Sequence, residues 1–157
     1  MKVGIATIER FEDLRVWQQA RLLAKAIYLA TGDSKLSRDF VLRDQMRRAA
    51  VSILSNIAEG FDRNGTREFM QFLSIAKASA GELRAQLYLA ADLAYIDKHR
   101  FEDLSMQTSD ISKMIAGLLT YLKNNRSARR KYEASDIVER YGVESSAKTQ
   151  KVRKRVN

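Results

Sequence analysis

The stretch FEDLSMQTSDISKMIAGLLTYL, residues 101–122, carries the most regular apolar pattern in the sequence. Its apolar positions, with one threonine among them, recur at alternating steps of three and four residues: Phe101, Leu104, Thr108, Ile111, Ile115, Leu118 and Leu122. This is the a/d pattern of a heptad, which is typical of a helix that packs nearly parallel or antiparallel to its neighbours with a left-handed crossing. The stretch therefore predicts a long helix inside a helical bundle.

Three further helices are predicted before this one. Apolar residues at helical spacing indicate a first helix over about 12–31 and a second from Ser37, as its N-cap, to about Glu59, with Gly60 as the C-terminal stop. Thr66 is the expected cap of a third helix that runs to roughly Tyr95. Four long helices joined by short connections predict an all-α fold: an antiparallel up-down four-helix bundle over residues 9–123, followed by a basic C-terminal tail over 124–157.

The composition is compatible with one such domain. The 157 residues are 45% hydrophobic and 30% charged, and the lack of proline favours long uninterrupted helices. No cysteine is present, which excludes disulfides, thiolate nucleophiles and cysteine zinc sites. No stretch approaches the ~20 apolar residues of a membrane span, and residues 1–12 lack a signal-peptide core. We therefore expect a soluble cytoplasmic protein with no membrane partner.

Residue types that carry catalysis are scarce. His99 is the only histidine, and no glutamate stands three residues before it, so the Glu-x-x-His pairs of a bundle di-metal centre are missing. Neither a GK[ST] phosphate loop nor a GxGxxG pattern occurs. A pair of carboxylates that meets only in the folded chain leaves no sequence signature and stays open. We expect no enzymatic activity, no catalytic residue, no metal and no cofactor.

The net charge of +9 is concentrated in the C-terminal tail. Residues 1–122 contain 17 Lys/Arg against 15 Asp/Glu, whereas residues 123–157 contain 11 against 4. The candidate nucleic-acid-binding residues in the tail are Arg126, Arg129, Arg130, Lys131, Lys151, Arg153, Lys154 and Arg155. Cations on a flexible chain bind phosphates without reading sequence, so RNA and DNA are both expected partners. An acidic protein partner or simple solubility is the alternative. The tail is expected to be disordered apart from a short helix over 132–141.

Cations in the predicted bundle form a second set of candidates. They are Arg43, Arg47 and Arg48 on the second helix and Arg67, Lys77 and Arg84 on the third. Such residues form either phosphate-binding stripes or a solvated face. The solvated face is favoured, because Asp39 and Asp44 precede Arg43 and Arg48 by four residues, which is the spacing of helix ion pairs.

Two stretches, FEDLRVWQQA (11–20) and QMRRAAVSILSNIAEGFDRNGTREFMQFLSIAKASAGELRAQLYLAADLAYI (45–96), resemble the four-helix-bundle family of proteins encoded in intervening sequences of large-subunit ribosomal RNA genes. The resemblance covers about residues 9–123 and implies an up-down bundle that assembles as a homopentamer, with no established enzymatic activity. The family is similar to the accessory variability protein of diversity-generating retroelements, in which a basic barrel surface binds nucleic acid and a reverse transcriptase. This chain departs from the family at Leu54, where proline is common and would kink the helix.

Asn56, Glu59 and Gly60, in the run NIAEG, form a structural signature that the resemblance groups together. Because a carboxylate near the end of a helix faces the negative end of the helix dipole, Glu59 is expected to pair with a donor. The candidate partners of Glu59 are the amides near Thr66 and the guanidinium groups of Arg47, Arg48 and Arg63. Gly60 is expected to let the chain turn, and Asn56 to bond across the bundle in the same network. The rival role of Glu59 is that of a functional acid in a cleft.

These observations predict a non-enzymatic, homo-oligomeric scaffold that binds RNA or DNA through its basic surface and its tail, with a reverse transcriptase as one candidate partner. Self-association, pentameric by resemblance, is supported by apolar residues outside the core stripes: Leu22, Leu29, Ile75 and Leu89. The alternative function is a protein-interaction adaptor that does not bind nucleic acid directly.

Overall fold

The computed structural model describes residues 8–32, 35–63 and 65–124, and four α-helices account for most of them. The helices are α1 (Arg15–Ala30), α2 (Phe40–Asp62), α3 (Thr66–Asp92) and α4 (Lys98–Asn124), with short 3-10 segments at Phe11–Asp13 and Lys35–Arg38. No strand occurs within the described ranges. The predicted all-α fold is therefore confirmed, whereas residues 125–157, including the expected helix at 132–141, lie outside the described residues.

Contacts between α2 and α3 show that these helices run antiparallel. At one end, the Tyr95 hydroxyl, just beyond α3, donates to Asp39 Oδ2 at the start of α2 over 3.2 Å. In the middle, Ser52 Oγ and Ser79 Oγ are 2.8 Å apart. Near the other end, Gly60 of α2 lies against aromatic side chains of α3. Because α4 packs on α3, and α1 packs on both α2 and α4, the four helices form a closed bundle.

One apolar row on each helix faces the common core. The period of three and four residues places these rows inward, and every member of the α4 heptad after Phe101 is buried. The buried residues are Val16, Ala20, Leu23, Ala24, Ile27 and Ala30 on α1; Leu42, Met46, Ala49, Ala50, Ile53, Ile57 and Gly60 on α2; Phe69, Leu73, Ala76, Ser79, Ala80, Leu83, Leu87 and Ala90 on α3; and Leu104, Thr108, Ile111, Ile115, Leu118 and Leu122 on α4. Burying each leucine or isoleucine contributes about 1.5–3 kcal/mol, so this core is the main stabilising interaction. None of the described helices has an apolar stretch long enough to cross a membrane.

Two predicted helix caps are wrong. α2 begins after Asp39 rather than Ser37, because the Asp39 carboxylate accepts a hydrogen bond from the backbone N–H of Leu42 over 3.1 Å. The N-cap of α3 is Gly65. Thr66 is the first residue of the helix, and no side chain caps the helix start. In both places two residues that can precede a helix stand within two positions of each other, so the local sequence does not distinguish between them.

The C-terminus of α3 is a Schellman motif, which ends the helix shortly before the predicted Tyr95. The N–H of Tyr95 donates to Ala90 O and that of Ala94 to Ala91 O, each over 2.9 Å, and Ala94 adopts a φ of 54°. This turn directs Tyr95 towards the start of α2, where its hydroxyl meets Asp39. Burial, followed by the neighbouring Asp39 carboxylate, raises the pKa of Tyr95.

Gly60 does not end α2, which continues to Asp62, so its predicted role as a turn is wrong. A Cβ atom at Gly60 would lie 2.5 Å from Phe72 Cβ and 3.0 Å from Phe69 Cδ2. The missing side chain therefore lets α2 and α3 approach each other closely. Gly81 of α3 is the opposite case, because it is exposed and a Cβ there would meet nothing within 4 Å.

We expect Gly60→Ala to lower the free energy of unfolding by about 1–3 kcal/mol, because the added methyl group forces α2 and α3 apart. The matched substitution Gly81→Ala should raise it by about 0.5–1 kcal/mol, since it adds helix propensity in open space. Urea denaturation of both variants beside the parent protein measures the two effects. A Gly60→Ala variant as stable as the Gly81→Ala variant would contradict the close contact.

Candidate nucleic-acid interface

In the part of the chain that the structure describes, the bundle interior holds no charged group. Among the described residues, the buried polar side chains are Thr31, Ser79 and Thr108. Each of these hydroxyls donates to a backbone carbonyl one turn earlier, over 2.7–3.0 Å. Within the same ranges, no group of three or more His, Cys, Asp or Glu side chains is placed to hold a metal, and His99 is exposed in the first turn of α4. The candidate functional residues therefore lie on the surface.

Arg47 of α2 contacts two residues at the end of α1. Its Nε donates to Thr31 Oγ1 over 2.7 Å, and its guanidinium group lies 4.7 Å from the centroid of the Tyr28 ring. Thr31 is buried and donates in turn to Ile27 O, so the arginine is linked to the last turn of α1. A half-buried guanidinium group that both donates a hydrogen bond and stacks on a ring stabilises this helix pair.

Arg43 lies one turn before Arg47 on the same side of α2. Its Nε pairs with Asp44 Oδ1 over 2.8 Å, and its Nη1 donates to Ser37 O over 3.2 Å. The guanidinium group also covers one face of the Phe40 ring, 4.7 Å from its centroid. These contacts hold Arg43 at the surface beside an exposed aromatic side chain.

The two expected ion pairs of α2 are wrong. Asp39 does not pair with Arg43, because its oxygens accept from the helix N-terminus and from the Tyr95 hydroxyl. Asp44 pairs with the adjacent Arg43 and not with Arg48. The hydrogen bond from Arg43, and then the charges of Arg43, Arg47 and Arg48, lower the pKa of Asp44. Arg48 is exposed and forms no ion pair with a described residue.

Arg67, Lys77 and Arg84 are exposed along α3, and none of them forms an ion pair within the described part of the chain. Lys77 and Arg84 share a row of α3 with Tyr88, whose ring contacts Phe101 of α4 with centroids 4.9 Å apart. This row therefore lies beside α4, whereas Arg43 and Arg47 of α2 lie at the junction of α2 with α1. By helical spacing Arg48 and Arg67 belong to neither group, so the six bundle cations form no single stripe.

Arg67 also lines a groove at the start of α3. The groove has a volume of about 670 Å³, and its described lining consists of Thr66, Arg67, Met70, Gln71 and Ser74. No described side chain that lines it is both buried and polar. Arg67 is the one cation in the described lining of the groove, and the lining does not indicate a particular ligand.

The candidate cations of the tail all lie outside the described residues. They are Arg126, Arg129, Arg130, Lys131, Lys151, Arg153, Lys154 and Arg155. Their role stays a prediction from the charge of the sequence.

Asn56, Glu59 and Gly60 do not form one network. Glu59 Oε1 pairs with Arg63 Nη2 over 2.8 Å, which is one of the predicted partners. The Glu59 side chain is 52% exposed, so it lies on the outer surface and not in a cleft, and such a pair contributes at most about 1 kcal/mol. Asn56 lies on another side of α2, where its Nδ2 donates to Ser52 O over 2.8 Å and to Ser52 Oγ over 3.0 Å.

Ser52 makes the bond across the bundle that was expected of Asn56. The hydroxyl of Ser79 donates to Ile75 O over 3.0 Å, which uses its single proton. Ser52 is therefore the donor in its 2.8 Å contact with Ser79. The hydrogen bonds run in one direction, from Asn56 through Ser52 and Ser79 to the backbone of α3.

Sequence reasoning missed two exposed aromatic side chains beside the arginines of α2. Tyr28 is 47% exposed and Phe40 is 63% exposed. The signal for Phe40 was present, because Phe40, Arg43 and Arg47 follow at i, i+3 and i+7 and so share one side of a helix. Only the fold shows that Tyr28 of α1 joins this row.

The fold and the surface define a four-helix-bundle protein whose candidate site is a set of exposed cations and aromatic rings. The model of the 23S rRNA-intervening sequence protein family matches residues 12–117, and the chain belongs to that family. α2 runs unbroken through Leu54, which packs half-buried against the core, so the kink expected from the family's proline is missing.

A solved structure with the same fold is the crystal structure of a protein of unknown function from the S23 ribosomal protein family of Bacteroides thetaiotaomicron. It is 24% identical to this chain with a TM-score of 0.61, and the match covers 66% of this chain and 97% of the other. At this identity the similarity shows the fold alone. A search among curated proteins gave no match.

We expect Arg47→Gln to lower the free energy of unfolding by about 1–2 kcal/mol, because it removes a charged hydrogen bond and leaves the buried Thr31 with one partner fewer. Arg48→Gln, a control with the same loss of charge one residue further on, should change it by less than about 0.5 kcal/mol. Thermal and urea denaturation measure both. Equal stability of the two variants would show that the contact of Arg47 with α1 does not stabilise the bundle.

Proposed function

We propose that this protein is a non-enzymatic, homo-oligomeric scaffold that binds RNA or DNA through cations on the bundle and in the C-terminal tail. The observation that carries the proposal is the exposure of Arg67, Lys77 and Arg84, which no described acid neutralises. Exposed cations bind phosphates by releasing condensed counterions, without reading sequence. A core of apolar side chains supports a binding role for the surface, since the buried residues described hold no acid or base.

The tail adds charge to this surface. Residues 123–157 contain 11 Lys/Arg against 4 Asp/Glu, which is most of the net charge of +9. In an oligomer several tails are held on one particle, so weak contacts with phosphates add up through a raised effective concentration.

The outer side of α3 supports self-association. Ile75, Ala78, Glu82, Ala85 and Leu89 follow at steps of three and four residues and are all exposed, so α3 has a second a/d row opposite its core row. Ile75 and Leu89 are each 48% exposed. A second copy of the chain would bury this row, and the pentamer expected from the family resemblance is the assembly that we propose.

A protein-interaction adaptor is the second candidate function, and the same exposed row of α3 favours it. In that case a reverse transcriptase or another acidic protein would be the partner. Co-purification of a protein partner that survives nuclease treatment, together with no binding of nucleic acid at low salt, would favour this alternative over the scaffold.

We expect the full-length protein to bind RNA and DNA oligonucleotides with an affinity that falls steeply between about 50 and 200 mM salt, because counterion release drives the binding. Two sets of substitutions in the full-length chain, R67Q/K77Q/R84Q on α3 and R126Q/R129Q/R130Q/K131Q in the tail, should each reduce the slope of log K against log salt. The reduction should be roughly 0.7–0.9 for every phosphate contact that is lost. Fluorescence anisotropy at several salt concentrations measures the slope.

The matched control removes three cations that already have acid partners. R63Q/K98Q/K113Q lowers the net charge as much as the α3 set does, but each of these residues pairs with Glu59, Glu102 or Asp110. We expect a smaller change in slope for this control. An equal change in slope would mean that net charge alone determines the binding. If the parent protein does not bind at low salt, the nucleic-acid proposal is wrong.

The oligomer should depend on the outer row of α3. We expect light scattering of the parent protein to give five times the chain mass at micromolar concentration. Leu89→Lys places a charge in the row and should reduce the mass to that of smaller species. Met106→Lys, at a residue of α4 that is 59% exposed and outside the row, is the control and should leave the mass unchanged. A parent protein that is monomeric would rule out the assembly.

A further inference from the structure

An exposed surface at the junction of α1 and α2 combines aromatic rings with cations, and we call it the aromatic corner. It consists of Tyr28, Lys35, Arg38, Phe40, Arg43 and Arg47. The guanidinium groups of Arg43 and Arg47 each lie 4.7 Å from the centre of an aromatic ring, Phe40 and Tyr28 respectively. The corner belongs to neither the cation row of α3 nor the tail.

Phe40 is the most informative residue of the aromatic corner. Its side chain is 63% exposed although Arg43 covers one face of the ring, so the other face is open to solvent. Phe40 is the first residue of α2, where the cap is supplied by Asp39 and the core contact by Leu42. The folded chain therefore makes little use of an apolar ring whose exposure to water is unfavourable.

The charge around these rings is positive. Residues 35–48 contain five Lys/Arg and two Asp. Asp39 is engaged by the Leu42 amide and the Tyr95 hydroxyl, and Asp44 is paired with Arg43. Lys35 and Arg38 are exposed and have no ion pair with a described residue. A ligand that fits this surface carries negative charge and flat apolar faces together.

Charge complementarity decides between the possible occupants. A second copy of the corner repels the first, because both are cationic, and the tail of the chain is also basic. Duplex DNA or RNA has the right charge, but its bases are stacked on one another and present no free faces. Unpaired nucleotides have both features, since bases stack on aromatic rings while the phosphates meet lysine and arginine.

We propose that the aromatic corner binds single-stranded nucleic acid, with bases stacked on Phe40 and Tyr28 and phosphates held by Lys35, Arg38 and the outer guanidinium edges of Arg43 and Arg47. The rings of Phe40 and Tyr28 are linked through Arg43 and Arg47, which lie one turn apart on α2. This inference rests on the proposed nucleic-acid function and specifies its preferred ligand. Preference for unpaired over paired strands is its measurable consequence.

The test compares two probes of equal charge, a fluorescent uridine 20-mer RNA and a double-stranded RNA of the same number of phosphates, on the full-length protein at fixed salt. Phe40→Ala should weaken binding of the single strand at least fivefold, because one stacked base is lost, and should change binding of the duplex less than twofold. Phe40→Tyr should retain the affinity, since the ring is kept. Val41→Ala is the matched control, because Val41 is adjacent, apolar and 78% exposed but carries no ring.

Phe40 is preferred to Tyr28 for this test, because Tyr28 also supports the structural contact of Arg47 with α1. If Phe40→Ala binds the single strand as well as the parent protein does, the aromatic corner is not the binding site for single strands. The proposed nucleic-acid function would still stand, since the protein binds nucleic acid. A change in the mass of the oligomer caused by Phe40→Ala but not by Val41→Ala would show that another copy covers the ring, which also rules out the aromatic corner as this binding site. If the parent protein binds neither probe at low salt, the proposed function itself fails.

Discussion

Where α2 passes α3, Gly60 has no side chain, and Phe69 and Phe72 occupy the space that a Cβ atom would need. This contact fixes the separation of α2 and α3 near one end of the bundle. The Ser52–Ser79 hydrogen bond sets their register in the middle, and the Tyr95–Asp39 hydrogen bond does so at the other end. α1 and α4 pack on this pair, so that Arg47 of α2 lies beside α1 whereas the row of Lys77 and Arg84 on α3 lies beside α4.

The inward rows of the helices could be predicted from the sequence, because the period of three and four residues is a property of each helix alone. The heptad of α4 is the clearest case, with every member after Phe101 buried. The helix ends could not be predicted as well. Asp39 and Ser37 are both acceptable N-caps, and only the fold shows that the Asp39 carboxylate accepts from the amide of Leu42 and so starts the helix. Gly60 resembles a helix stop, and only its contact with Phe72, twelve residues later, shows that it serves packing.

The candidate site was predictable in its chemistry and not in its arrangement. Sequence alone marks Arg43 and Arg47 as equivalent to Arg48, but the fold gives the first two an aromatic ring each and gives Arg47 a bond to α1. Such differences arise from contacts between residues far apart in the chain, as with Thr31 and Arg47, for which local spacing carries no signal. The exposed ring of Phe40 is a feature that the sequence reading did not predict, since spacing alone does not distinguish an exposed apolar residue at a helix start from a buried one.

Among the described residues, the core is formed by apolar side chains and a few hydroxyls bonded to the backbone, and the features on which our proposals rest lie on the surface. The apolar row on the outer side of α3, the cations beside α4 and the aromatic corner beside α1 occupy different faces. An assembly through α3 would therefore leave the aromatic corner accessible on every copy. In the scaffold that we propose, this separation would let an oligomer combine weak contacts with nucleic acid from several copies.

The packing of α2 on α3 is tested most directly by hydrogen exchange of the full-length protein in the absence of ligand. We expect the amides of residues 53–60 in α2 and 69–76 in α3 to exchange slowest, at a rate set by global unfolding, because these segments contain the close contact at Gly60. The amides of residues 20–27 in the shorter α1 should exchange faster, through local opening. Faster exchange in 53–60 and 69–76 than in α1 would contradict the central role of the contact at Gly60.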